Sequence, residues 1–295
     1  MHELTQSRVQ VITGKGGVGK SAVAAALALA LARDGRKRVL LATLNGVDDI
    51  SRLLGCMPLD TKEREVLPGV WGVAMTGEAA RLEYAIKVLK FERMARLVFA
   101  NRLTRSLLDF VPGLNDVNQL GKLRWHLVES TKSRFDHVVL EAPASGHALT
   151  TLRSPAIIHQ MSPPGPMRRD TEKIVSFLRD PQTTRVHVVT LPASMSCRES
   201  VQLADALRVR AKVHPGLLIC NRSLPAPPDG QPESAQGDWA DFLDGEAALA
   251  RRQHERLARA ASESELPRFD LPELPGNGRA VVNAMADYFF RGGHD

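Results

Sequence analysis

Gly14-Lys15-Gly16-Gly17-Val18-Gly19-Lys20-Ser21 follows the apolar run Val9-Gln10-Val11-Ile12-Thr13 and opens the alanine-rich stretch from Ala22 to Ala32. Strand, glycine-rich turn and helix in that order make a phosphate-binding loop of the pattern GxxxxGK[ST]. Gly14, Gly16, Gly17 and Gly19 carry no Cβ, so successive backbone N–H groups turn inward around an anionic oxygen. The helix that follows aims its positive end at the same point. Lys20 is placed to reach the β and γ phosphates, and the Ser21 hydroxyl to ligate Mg²⁺. The octet therefore predicts a nucleoside triphosphate with Mg²⁺, cradled by Gly14, Gly16, Gly17, Val18, Gly19, Lys20, Ser21 and Ala22.

Outward from the loop, short β-branched or apolar runs alternate with helical patterns, which predicts an α/β fold with a mostly parallel sheet flanked by helices. The runs are Val9 to Thr13, Arg38 to Thr43, Val70 to Met75, His137 to Leu140, Arg185 to Thr190, Gly216 to Cys220 and, more weakly, Pro267 to Leu271. Several are apolar without alternation, as in strands buried on both faces. Residues 76–135 turn helical with no strand between, Leu82, Ile86 and Leu89, then Met94, Leu97 and Val98, falling on helical spacing. They form an expected α-helical insertion within a single P-loop NTPase domain spanning 1–295. Its apolar stripes fit core packing or a groove for a protein or membrane-protein client. Residues 223–240 are rich in Pro, Gly and polar groups and are expected to form a flexible loop. Helical patterning resumes from Trp239 to Glu263. A last helix, Ala280 to Phe290, puts Val282, Met285 and Phe289 on one side, for docking onto the core.

Composition narrows the function classes. With 43% hydrophobic residues, the 295-residue chain has material for a large core. No stretch approaches the roughly 18–20 apolar residues that span a bilayer. Met1-His2-Glu3-Leu4 is not a basic-then-apolar leader, so a cytoplasmic location is expected. Cys56, Cys197 and Cys220 form no CxxC or ligand-spaced set, and the nine histidines show no metal spacing. The net charge of +6 permits acidic partners. Much of the excess falls between Thr76 and Phe135, where eleven basic residues face six acidic ones. A solvated helix surface accounts for that balance better than a nucleic-acid site.

Lys15 adds to the loop a lysine that is not needed to wrap phosphate within one chain. Its position resembles the deviant Walker A loop of the MinD, ParA, nitrogenase iron protein and arsenite-pump ATPase (ArsA) families. In those relatives this lysine crosses a dimer interface to the partner's nucleotide, so the resemblance implies a nucleotide-sandwich dimer. Phe135-Asp136-His137-Val138-Val139-Leu140-Glu141-Ala142-Pro143-Ala144-Ser145-Gly146-His147 is similar to the strand and switch II of the ArsA family. Leu152-Arg153-Ser154-Pro155, Phe177-Leu178-Arg179-Asp180-Pro181, Val188-Val189-Thr190-Leu191-Pro192 and Leu218-Ile219-Cys220-Asn221-Arg222 resemble its bacterial branch. The resemblance implies that Asn221 contacts adenine, that the loop from Pro267 to Pro272 closes over the base, and that ATP and Mg²⁺ are the ligands.

The departures fall on groups that act on the attacking water. Where the family begins switch I with an aspartate, this chain has Asn45 in Leu44-Asn45-Gly46-Val47. An amide accepts no proton at neutral pH but orients water; Asp48 and Asp49 are candidate substitutes. Glu141 replaces an aspartate and is one methylene longer, with reach enough to hold a Mg²⁺-bound water. The expected catalytic set is thus Lys15, Lys20, Asn45 and Glu141, with Ser21 and Glu141 on the metal side. Cysteines that bind arsenite or intersubunit zinc in relatives have no counterparts. Three functions follow in order: a dimeric, slowly hydrolysing ATP switch; a catalytically impaired subunit paired with an ArsA-like paralogue; and a ParA- or MinD-like ATPase on DNA or membrane.

Overall fold

A computed structural model of the chain describes residues 7–33, 35, 37–44, 48–75, 113–129, 135–226 and 238–291. Among them an eight-stranded sheet runs in the order β3-β4-β2-β5-β1-β6-β7-β8. Its strands are β1 (Val9–Gly14), β2 (Val39–Leu44), β3 (Arg64–Leu67), β4 (Val70–Met75), β5 (His137–Ala144), β6 (Thr184–Thr190), β7 (Pro215–Ser223) and β8 (Arg268–Pro272). All neighbours are parallel except the edge pair β3 and β4. Strand β1 is central, with every residue buried, its two polar side chains Gln10 and Thr13 included.

Side-chain alternation sends Val39 and Leu41 of β2 to one apolar layer and Leu40, Ala42 and Leu44 to the other. The first layer lies under α1 (Lys20–Ala32), α2 (Asp49–Leu54) and α8 (Gly278–Arg291). The second lies under α3 (Leu114–Arg124), α4 (Ser145–Met161), α5 (Pro166–Arg179), α6 (Ser194–Ala206) and α7 (Asp238–Ser264). Helix α1 is sandwiched between sheet and α8, so it is buried almost all round, and its alanines let both neighbours approach closely. Helix α8 docks through Val282, Met285 and Phe289, with the Phe289 ring stacked on Phe269 of β8 at 4.9 Å between centroids.

Several sequence expectations change at their edges. Strand β3 is unforeseen because an edge strand with Arg64 and Glu65 lacks an apolar signature; the Pro68-Gly69 turn, with Gly69 at φ 74°, is its one signal. Strand β5 continues past the expected Leu140 to Ala144, so Glu141 is a strand residue. The end of the 76–135 insertion belongs to the body: Val117, Leu120, Leu123 and Leu127 join Phe135 in the second apolar layer. The stripes at Leu82 to Leu89 and Met94 to Val98 lie outside the described residues. Of the 223–240 span, Ser223 is the buried last residue of β7 and helix α7 starts at Asp238; residues 227–237 lie outside the described set. No described helix is long and apolar enough to cross a membrane.

Candidate functional site

The carboxyl ends of β1, β2, β5, β6 and β7 meet where the chain order reverses on either side of β1, the place where open α/β sheets bind ligands. The loop Gly14 to Gly19 caps β1 there and is pinned from both flanks. A Cβ on Gly14 would lie 2.3 Å from the Val189 carbonyl oxygen of β6, and one on Gly19 2.4 Å from Asn221 Nδ2 of β7. Gly17 and Gly19 adopt left-handed φ values of 81° and 90°, which glycine takes without strain. Gly16 and Gly17 are exposed, and a Cβ on either meets nothing within 4 Å. No protein atom accounts for the glycine at Gly16, which leaves its outer side open to an approaching ligand. The fold of the loop thus fits a phosphate chain.

Lys20 opens α1 and donates from Nζ to the Lys15 carbonyl at 2.9 Å. Burial pushes its pKa down, against the opposing pull of Glu141 and Asp49. Ser21 donates its hydroxyl proton to Glu141 Oε1 at 2.6 Å, which leaves both oxygen lone pairs free for a cation. Burial raises the Glu141 pKa, although the Ser21 hydrogen bond and Lys20 lower it, while Asp49 and Asp48 raise it further. Glu141 Oε2 is buried without a hydrogen-bond partner. A carboxylate so placed, beside a lysine and a serine with open lone pairs, fits the shell of a hydrated Mg²⁺.

Asp48 and Asp49 part company. Asp48 caps α2: its carboxylate accepts from Ser51 N at 3.0 Å, Leu59 N at 2.7 Å and the Ser51 hydroxyl. Asp49 pairs with Arg52 one turn on, and its charge is felt by Lys20 and Glu141. Asn45, the expected water-orienting residue, lies outside the described residues.

Asn221 is placed at the loop and is 2% exposed. Its Nδ2 donates to the Val18 carbonyl at 2.8 Å, and its Oδ1 accepts from Arg222 N at 3.1 Å. It therefore holds the loop shape, a role unforeseen from sequence. Pro272 ends β8 beside Ser223, two residues beyond Asn221 on the neighbouring strand. Val18 is buried at 2% with its carbonyl on Asn221, and Ala22 packs against the first apolar layer. His147 is exposed on the first turn of α4. Lys15 turns away from its own loop: Nζ meets Glu199 Oε1 of α6 at 2.7 Å. Glu199 sits 184 positions away, so no spacing in the sequence points to the pair. Among the described residues no group of three or more His, Cys, Asp or Glu could hold a metal by itself.

Sheet order, pinned glycine loop, and Lys20, Ser21 and Glu141 at the carboxyl edge define a P-loop nucleotide-binding protein. The model of the anion-transporting ATPase (ArsA) family matches residues 7–163, and the chain belongs to that family. It is 32% identical over 251 residues to ATPase BagA of Mycobacterium tuberculosis, a match covering 80% of this chain and 71% of the relative. It is 25% identical to ATPase GET3C of Arabidopsis thaliana, over 76% of this chain and 69% of the relative. It is 24% identical to an arsenical pump-driving ATPase of Acidiphilium multivorum, over 90% of this chain and 46% of that protein.

Proposed function

We propose that this protein binds ATP with Mg²⁺, dimerises around the nucleotide and hydrolyses it slowly to switch shape. The observation that carries the proposal is the position of Lys15. It is a loop lysine whose ammonium makes no contact with its own cradle and rests on Glu199, half-exposed, where a second copy is able to draw it across. The loop amides from Gly14 to Gly19 bind the phosphates, and Lys20 neutralises their charge while Ser21 and Glu141 hold the cation. Bound Mg²⁺ screens the negative charge on the phosphoryl oxygens and fixes their orientation. Glu141 fixes the Ser21 proton so that the hydroxyl keeps its lone pairs outward. Asp49, the carboxylate that does not cap α2, orients the attacking water in place of the family aspartate, alongside Asn45.

Phosphate release by the pure protein, compared with Lys20→Ala, tests the enzyme. Equal rates in the two overturn it. Sedimentation with and without ATP and Mg²⁺ tests the dimer. A second reading, a weakly active subunit paired with an intact paralogue, is favoured by Asn45 in the sequence. A stable homodimer with sustained turnover excludes it. The 76–135 insertion, which contains α3, is the surface proposed to carry the nucleotide state to a client.

A further inference from the structure

Many of the described buried polar groups around the sheet are paired. Gln10, His187, Thr184, Ser196 and Asn221 all lie within hydrogen-bond reach of a partner. Against that background two oxygens at the carboxyl edge of the sheet stand unpaired: Thr43 Oγ1 and Glu141 Oε2. Thr43 is 1% exposed. It is also the direct cross-strand neighbour of Glu141, on β2 beside β5. Both project toward α1. Val39 and Leu41 of β2 and Val139 of β5 belong to the apolar layer under α1, while Leu40, Ala42, Leu140 and Ala142 belong to the other, and strand alternation puts Thr43 and Glu141 with the first set. Glu141 confirms the direction by meeting Ser21 at the start of α1.

Parallel strands lie about 4.8 Å apart, so two such side chains flank a common space. The two oxygens do not hydrogen-bond to one another, and a small polar species between them satisfies both. We propose that Thr43 is a further member of the metal shell: its hydroxyl and Glu141 Oε2 jointly hold one water of the hydrated divalent cation seated at Ser21. This rests on the ATP–Mg²⁺ reading above. Thr43 accepts or donates as the bound water requires, whereas a carboxylate only accepts. It thereby supplies a fixed second anchor, two residues before Asn45 in the sequence. As an indirect ligand it sets metal affinity without touching the nucleotide.

The test is a Mn²⁺ titration followed by electron paramagnetic resonance, on the full chain with a non-hydrolysable ATP analogue. Thr43→Val keeps shape and strand preference but removes the oxygen; Thr43→Ser keeps the oxygen. Thr43→Val is expected to weaken Mn²⁺ binding roughly 10-fold, with metal-free nucleotide affinity and thermal midpoint unchanged or the midpoint raised. Thr43→Ser is expected to stay within about 3-fold of the parent. Should Thr43→Val fold poorly, Thr43→Ala reports the same loss of oxygen. Parent-like Mn²⁺ affinity in the oxygen-free variants overturns the role of Thr43 alone. Failure of the parent to bind Mn²⁺ with the analogue overturns the ATP–Mg²⁺ reading and this inference with it.

Discussion

Replacing Glu199 by Gln should make ATP-dependent dimerisation easier. Lys15 Nζ and Glu199 Oε1 lie 2.7 Å apart, with the side chains 39% and 34% exposed. Ion pairs this wet are worth about 0.5–1 kcal/mol after solvent screening and loss of side-chain freedom. A sandwich dimer breaks two of them, so the cost to the assembly is about 1–2 kcal/mol, or roughly 5- to 30-fold in its dissociation constant. Glu199→Gln removes that cost. Analytical ultracentrifugation across protein concentration, with ATP and Mg²⁺ and without, reads the midpoint directly. It should move to lower concentration by roughly that factor only when nucleotide is present. Lys15→Ala should abolish the nucleotide-dependent dimer and leave ATP binding by the monomer intact. A midpoint unmoved in Glu199→Gln, together with normal dimers in Lys15→Ala, refutes a transferred lysine.

Gly16→Ala should leave thermal stability within about 0.5 kcal/mol, because its Cβ meets open space, yet weaken a fluorescent ATP analogue at least tenfold (~1.4 kcal/mol); unchanged affinity places the phosphate cradle elsewhere. Gly19→Ala forces a non-glycine residue into φ 90° against Asn221 and should cost about 1–3 kcal/mol of stability, read by urea unfolding. His187 is fully buried between Gln10 Oε1 and Leu217 N, and burial, with a smaller push from Arg185, lowers its pKa to about 3. Between pH 6.5 and 3 the unfolded chain takes up a proton that the folded chain refuses, so stability falls with pH, by about 2 kcal/mol from pH 7.5 to pH 5. Urea unfolding of His187→Gln should lack that component, and an equal loss in both proteins removes His187 from the account. Asp49→Asn should lower turnover at least tenfold (~1.4 kcal/mol) with nucleotide affinity kept, whereas Asp48→Ala should act on stability, by about 1–2 kcal/mol, through the lost cap; the opposite assignment of the two effects reverses their roles.

The sequence makes the binding half of the site legible because that half is local. Gly14 to Ser21 are contiguous, and their flanks announce strand and helix by composition. Glu141 is legible through the resemblance of the stretch from Phe135 to His147 to the strand and switch II of the family. Glu199, Thr43 and the loop-holding role of Asn221 are not, since each depends on which strands become neighbours. Thr43 reads as one more β-branched strand residue until β5 is placed beside β2. Asp48 and Asp49 are equivalent on paper, and only the start of α2 decides that one is consumed as a cap. Strand β3 was hidden for an energetic reason: at a sheet edge hydrogen bonding outweighs apolar burial, so the pattern is weak.

The geometry also connects the metal side of the site to the insertion through covalent structure and one carboxylate. Glu141 and Ser145 are four residues apart, with β5 passing into α4 without a loop. Any displacement of Glu141 is therefore delivered to the first turn of α4. That helix is soft at one point: Pro155 removes the N–H that would bond the Thr151 carbonyl. At this turn Asp116 of α3 accepts from Thr151 Oγ1 and from Ser154 Oγ, each at 3.0 Å. The approach is close enough that a Cβ on Gly113 would lie 2.6 Å from Ser154 Oγ. Asp116 thus grips α4 where its own hydrogen-bond ladder is interrupted, and the grip lies in the segment that closes the insertion. A rigid rod from Glu141 to Asp116 would move α3 as a body; a helix pivoting at Pro155 would instead shift its first turns beside α6, where Glu199 holds Lys15. In the proposed cycle such a motion would bear on the Lys15–Glu199 ion pair, the contact that the proposed dimer has to open.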